Sequence, residues 1–307
     1  MTEAGNASPQ GDRAPPRGRQ LQGLSHQEVG SITHGDFWIP EGEREVYKRA
    51  LRSLNAAGVP YVVAGAYAIY EHTGIYRQTK DLDVFLEPTQ VVPAMRALHE
   101  EGFVARLEQA HWLAKAVQGD YFVDIIYGMG NGLASIDDAW YRHSKPAILA
   151  ATPVRVAPVE ELIWHRLFIN ERHRHDMADI AHLIFAMGPA MDWHRLVEKT
   201  GEHWPLLLSQ LLMFNYVYPE HQGGAPKWVM TQLLERARRE MRRERSGEAV
   251  TRGTLISRFS FSIDVNEWRL RDVRDERVRA TSAMPVIREI IESDVWDERS
   301  ASAEVTE

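Results

Sequence analysis

The sequence predicts an α+β domain with one mixed β-sheet, followed by a domain of helices. Between residues 42 and 157, short apolar runs typical of strands alternate with segments whose apolar residues recur every three or four positions. After Pro158 only the helical spacing continues, as far as residue 245. A chain of 307 residues has room for two domains of this size.

The expected elements follow the order of the chain. The first helix spans 42–57, because Val46, Ala50 and Leu54 share one face and Gly58 ends the pattern. The other expected helices lie at about 67–72, 91–101, 159–170, 176–187, 193–200, 204–216 and 226–245. The expected strands are the apolar runs at 61–64, 82–86, 103–107, 112–117, 121–127 and 154–156.

These elements divide the chain into four regions. Residues 1–38 are rich in Gly, Pro, Gln and Ser and are expected to form a disordered leader. An α/β domain over 39–158 and a helical domain over 159–245 follow. Residues 246–307 are expected to form a polar, poorly ordered tail with a β-like patch at 255–265.

Composition excludes several classes of protein. The chain has 36 Lys and Arg against 43 Asp and Glu, a net charge of −7, which is unusual for a globally basic nucleic-acid binder. It has no cysteine, which excludes disulfides, thiolate zinc sites and cysteine nucleophiles. No apolar run approaches the roughly 20 residues of a membrane span, and no secretory signal is visible. We therefore expect a cytoplasmic protein with no membrane partner.

Residues 61–88 carry the pattern most informative about chemistry. A buried strand leads to Gly65–Ala66, where small side chains let the backbone approach a ligand closely. A helix begins at this point, and the free N–H groups of helix N-termini bind phosphate. On the next strand, Asp81 and Asp83 point to one face because they are two residues apart.

Adjacent carboxylates repel each other unless one is protonated or a cation lies between them. Beside a phosphate-binding turn, Mg²⁺ or Mn²⁺ is the expected cation. Asp124, within the apolar run Val123–Ile126, needs a partner from elsewhere in the fold, and the Asp81/Asp83 pair is the first choice. The alternatives are a solvated strand end for the pair and an arginine partner for Asp124.

This pattern resembles the nucleotidyltransferase superfamily with the DNA polymerase β-type fold. More narrowly, GAYA at 65–68 and RQTKDLDVFL at 77–86 resemble the minimal and AbiEii-like nucleotidyltransferases. The resemblance implies a mixed sheet with helices on one side and a C-terminal helical domain. It also implies Mg²⁺-dependent transfer of a nucleoside monophosphate from a nucleoside triphosphate (NTP) to a small molecule, a protein or RNA.

The resemblance assigns roles along this segment. Gly65 and Ala66 would cradle the triphosphate, with Arg77 and Thr79 also in the nucleotide site. Asp81 and Asp83 would hold the metal ions, and Asp124 would be the third ligand and a candidate base. Ala66 departs from the family pattern, which has a second glycine or a serine there.

A second part of the resemblance lies in the helical region. The family's lysine on the first helix corresponds to Arg166, expected at the nucleotide, and an Arg–Asp–x–x–Asp motif corresponds to Arg174, Asp176 and Asp179. Asp176 and Asp179 are equally well explained as helix caps. A catalytically silent nucleotide-binding module of the same fold is the alternative function.

Other readings concern partners. A zinc site built from the candidates His165, His173, His175 and His182 is disfavoured because their spacing is not that of known zinc motifs. The arginine-rich stretch 236–245 is either a solvated helix end or an attraction for RNA or another acidic partner. An antitoxin-like protein partner is a further candidate, and the oligomeric state is unknown.

Overall fold

The computed structural model describes residues 39–75, 79, 81–171, 174–221, 223–243 and 247–297. Within these residues, the main sheet has seven strands: β1 Val62–Val63, β2 Asp81–Phe85, β3 Val104–Gln109, β4 Leu113–Gln118, β5 Tyr121–Ile126, β6 Lys145–Leu149 and β7 Thr152–Val156. Their order is β3-β4-β5-β2-β1-β7-β6. Strand β1 runs antiparallel to β2 and parallel to β7, and β2 runs parallel to β5. The sheet is therefore mixed, as predicted.

Helices precede, interrupt and follow the sheet. Those of the first domain are α1 Glu41–Ala56, α2 Gly65–Thr73, α3 Val91–Glu100 and α4 Asp138–Arg142. The helical domain contains α5 Val159–Arg166, α6 Met177–Met187, α7 Trp193–Thr200, α8 Trp204–Val217 and α9 Lys227–Met241. The α+β class with C-terminal helices is confirmed. No helix of the described residues is both long and apolar enough to span a membrane.

Alternation along β2 creates two cores. Leu82 and Val84 point to one face, which α1 and α3 cover. Phe85 points to the opposite face, where α2 and the helical domain pack. The sheet thus has helices on both faces, whereas helices on one side were expected. The second face is covered because the helical domain folds back over it.

Strand β6 was not predicted from the sequence. This strand pairs only with β7, at the edge of the sheet. Pro146 and Ile148 are exposed there, so the segment lacks the buried apolar run by which the other strands were found. An edge position tolerates both features because one side of the strand needs no partner.

Residues 247–297 are folded, which differs from the expected poorly ordered tail. They form a two-stranded sheet, β8 Val250–Thr251 with β9 Arg271–Asp272, and the helices α10 Ser262–Asn266, α11 Val273–Ser282 and α12 Pro285–Ile291. The β-like patch at 255–265 is incorrect, since α10 occupies part of it. Leu255 joins the core on the cleft side, and Ile287 joins the opposite core. Isolated apolar residues that pack on an existing core leave no periodicity in the sequence. The leader 1–38 lies outside the described residues.

Candidate active site

Three aspartates meet on the face of the sheet that the helical domain covers. The parallel register pairs Asp83 of β2 with Asp124 of β5, and Asp81 lies two residues earlier on the same face. One carboxylate oxygen from each residue lies within 4.8 Å of the other two. We call these residues the acidic triad. The partner expected for Asp124 is therefore in place, through a strand register that the sequence alone does not give.

The charges of the triad oppose one another. Burial, followed by the charges of Asp81 and Asp124, raises the pKa of Asp83 to about 7. Burial also raises the pKa of Asp124, although Lys115 acts in the other direction, with its Nζ 2.9 Å from Asp124 Oδ1. The Thr79 hydroxyl donates a hydrogen bond to the Asp81 carboxylate. Hard oxygen donors held close together against their repulsion fit a divalent cation such as Mg²⁺.

Gly65 connects the turn after β1 to the triad. Its φ is +56°, and a Cβ at this position would lie 1.8 Å from Asp83 Oδ2. The backbone N–H of Ala64 donates to the carbonyl of Asp83 at 2.9 Å, which fixes the turn against β2. Only glycine fits here, and Ala66 lines the same cleft. Arg77 lies outside the described residues.

Arg166 connects the helical domain to this turn. It is buried at the end of α5, with its Nε 3.5 Å from Asp179 Oδ2 and 3.7 Å from Asp176 Oδ2. Its Nη2 donates to the carbonyl of Gly65 at 3.5 Å. Asp176 makes no side-chain capping hydrogen bond to α6 and pairs instead with Arg166 and Arg174. The two aspartates therefore hold the Arg166 guanidinium beside the glycine turn.

Removing the Arg166 charge is expected to destabilise the protein. In Arg166→Met, two buried carboxylates lose a partner, and we expect the free energy of unfolding to fall by about 3–5 kcal/mol. Urea unfolding measures this change. Arg142→Met is the matched control, because Arg142 pairs with Asp138 on the exposed surface and its loss should change little. Equal losses in the two variants would contradict a structural role for the buried network.

The triad and Arg166 line a cleft of about 780 Å³ between the sheet and the helices. The lining also includes the apolar side chains Phe85, Ile126, Met129, Phe168 and Leu255. A cleft lined by both charged and apolar side chains suits a ligand that carries both phosphate and ring systems.

The histidines do not form a metal site among the described residues, where the acidic triad is the one such group found. His165 faces the cleft, and burial lowers its pKa to about 3, so it is neutral. Its ring packs edge-on against Phe85, with 5.4 Å between the ring centres. His173 lies outside the described residues.

Three charged residues near the site were not predicted. Lys115 pairs with Asp124 across the register of β4 and β5. Arg258 and Arg274 line the cleft from the C-terminal region that was expected to be poorly ordered. These residues are far along the chain from the motifs, so no local sequence pattern marks them as part of the site.

Comparisons with known proteins give structural matches only. No family model and no curated protein matches this chain. The antibiotic-resistance factor ANT(2'')-Ia matches with a TM-score of 0.35 and 16% identity over 65% of this chain and 98% of that one. The lincosamide antibiotic adenylyltransferase LnuA matches with a TM-score of 0.34 and 14% identity over 47% of this chain and 96% of that one. A nucleotidyltransferase-like protein from Paracoccidioides brasiliensis matches with a TM-score of 0.34 and 11% identity over 56% of this chain and 93% of that one. Nucleotidyltransferases are thus among the solved structures to which this fold is similar.

Proposed function

We propose that this protein is a Mg²⁺-dependent nucleotidyltransferase that moves a nucleoside monophosphate from an NTP to an acceptor hydroxyl. The observation that supports this most directly is the acidic triad lying against a turn that admits only glycine. In the reaction, the acceptor oxygen forms a bond to the α-phosphorus while the bond from that phosphorus to pyrophosphate breaks. The hydroxyl proton passes to a base, and pyrophosphate leaves.

The residues divide the work between them. Asp81, Asp83 and Asp124 would hold Mg²⁺ or Mn²⁺, and such an ion would neutralise charge on the phosphate oxygens. We assign Asp124 as the third ligand and as the group that accepts the hydroxyl proton. Gly65 and Arg166 meet at the cleft and would hold the triphosphate with backbone and guanidinium donors. The protein contributes mainly position and charge, as this type of transfer requires.

The acceptor belongs to one of three classes: an antibiotic-like small molecule, a protein or an RNA. A toxin-like modification of tRNA or protein, with an antitoxin-like partner, is one form that this reaction could take. Exposed arginines at the end of α9 and just after it favour RNA; they are Arg238, Arg239, Arg242 and Arg243. Identifying the modified product would show which of these acceptor classes the protein uses.

Paired isotope labels test the reaction type. The protein is incubated with Mg²⁺, cell extract and NTPs carrying ³²P at either the α or the γ position. We expect label on an acceptor only from the α-labelled NTP, with labelled pyrophosphate from the γ-labelled NTP. Label transferred from the γ position would indicate a kinase instead. Binding of Mg²⁺–NTP by calorimetry without any pyrophosphate release would favour the silent module, to which Ala66 and Arg166 first pointed.

A further inference from the structure

The C-terminal region closes one side of the cleft. We call residues 254–259 together with Arg274 the C-terminal wall, since all of them line the cleft. The side-chain amide of Asn131, in the loop after β5, donates to the carbonyl of Leu255 at 3.0 Å. The backbone N–H of Asn170, after α5, donates to the next carbonyl of the wall at 3.1 Å. The wall therefore connects the sheet domain to the helical domain across the cleft.

Two arginines of the wall form no ion pair among the described residues. Within those ranges, neither Arg258 nor Arg274 has a carboxylate oxygen within 4.0 Å, although both line the cleft. Arg274 is fixed by a 2.9 Å hydrogen bond from its Nη2 to the carbonyl of Gly130. Asp272 accepts from the Thr254 hydroxyl at 2.6 Å and from the backbone N–H of Arg274 at 2.8 Å. Burial, with a smaller effect of the neighbouring Arg258 charge, lowers the pKa of Arg274, although the charges of Asp272 and Asp275 act in the other direction.

Most other charged groups of the cleft have a partner of opposite charge. Asp176 and Asp179 pair with Arg166, and Asp176 also pairs with Arg174. The acidic triad would be neutralised by its divalent cations. Among the described residues, the carboxylate of Glu171 accepts a hydrogen bond only from the neutral hydroxyl of Ser257. The two arginines of the C-terminal wall outnumber this one carboxylate, so the wall is positive in the loaded cleft. A polycationic acceptor would be repelled there, whereas a phosphate group would gain charge-assisted hydrogen bonds.

The sheet order separates this wall from the glycine turn. Gly65 follows β1, which borders β2 on one side of the triad. Arg274 is tied to Gly130, which packs against the Trp112 ring beside β4, on the other side of β5. In an in-line displacement the attacking and leaving oxygens lie on opposite sides of the phosphorus. With the triphosphate at the glycine turn, the wall is on the side from which the acceptor enters.

We propose that Arg258 and Arg274 bind a phosphate group of the acceptor, so that the acceptor is a phosphorylated compound. This inference rests on the proposed function and adds the substrate class to it. The phosphate belongs either to a small phosphomonoester or to the backbone of a single-stranded nucleic acid. Both present the same oxygens to the guanidinium groups, and the experiment separates them.

The test measures anion binding without turnover. A fluorescein-labelled single-stranded RNA octamer is titrated with the protein in Mg²⁺ and without NTP, and its anisotropy is followed. Glucose 6-phosphate serves as a competing small phosphomonoester, and its direct binding is measured by calorimetry. For Arg258→Gln/Arg274→Gln we expect the dissociation constant of the bound probe to rise about tenfold or more, as expected for hydrogen bonds to charged groups. The dissociation constant of Mg²⁺–ATP should stay within about twofold of wild type, as expected for a separate site.

The matched control is Arg279→Gln/Arg288→Gln, which removes the same charge from exposed positions on α11 and α12. It should bind the probe as wild type does. The single variant Arg258→Gln tests the same point without disturbing a packed side chain, because Arg258 is exposed. Binding of RNA alone assigns the nucleic-acid backbone, and competition by glucose 6-phosphate assigns the small phosphomonoester; either result supports the site.

Three outcomes would overturn the inference. The first is that neither probe binds the wild type. The second is that the arginine variant binds the probe as tightly as its control does. The third is that the arginine variant loses as much affinity for Mg²⁺–ATP as for the probe. The last result would place the triphosphate on the wall. A failure of the proposed function looks different, because NTP turnover would then be unchanged in triad variants whatever the arginines bind.

Discussion

Replacing Asp81 and Asp83 by asparagine is expected to abolish nucleotidyl transfer while leaving the protein folded. Metal ions contribute several kcal/mol of transition-state stabilisation, and a loss of roughly 4 kcal/mol corresponds to a rate about a thousandfold lower. The same change removes two carboxyl groups whose charges oppose that of Asp124. We therefore expect the metal-free variant to melt at a higher temperature than the metal-free wild type, while losing the stabilisation that Mg²⁺–NTP confers on wild type.

Asp120→Asn is the control for this variant. Asp120 lies exposed in the turn between β4 and β5, so the same substitution should change neither activity nor melting temperature. Release of pyrophosphate from NTP and thermal melting with and without Mg²⁺ measure the two effects. Unchanged release of pyrophosphate in the Asp81/Asp83 variant would refute the proposed function.

Gly65→Ala is expected to damage both stability and catalysis. Its Cβ would lie 1.8 Å from Asp83 Oδ2, so either the turn or the carboxylate must move. We expect the free energy of unfolding to fall by about 2 kcal/mol or more, from the clash and the left-handed backbone together. Because a displacement of about 1 Å can cost 10²-fold in rate, transfer should fall about a hundredfold.

Gly74→Ala separates the clash from the backbone effect. Gly74 ends the same helix with a φ of +70°, and a Cβ there would meet no atom within 4 Å. This variant should lose only about 1 kcal/mol, from the left-handed conformation alone. Urea unfolding and pyrophosphate release compare the two variants. Similar losses in both would show that the contact with Asp83 does not matter.

Local pattern predicted much of the sheet and one half of the site. Strand β2 was found as the apolar run 82–86, and the two-residue spacing of Asp81 and Asp83 gave the shared face of the two aspartates. The turn at Gly65 was found because a small pair follows a buried strand. Strand β6 was missed because its edge position tolerates Pro146 and alternating exposed residues.

The sequence by itself determined the residue types of the chemistry: carboxylates at a spacing of two, a glycine before a helix, and no cysteine to favour a softer metal. Tertiary structure decided which groups share the cleft. The parallel register brings Asp124 to Asp83, and the antiparallel register brings Lys115 to Asp124. The folded C-terminal region brings Arg258 and Arg274 to the opposite wall. Strand register and the packing of the C-terminal region depend on contacts between residues that are distant in sequence. Local periodicity does not show those contacts.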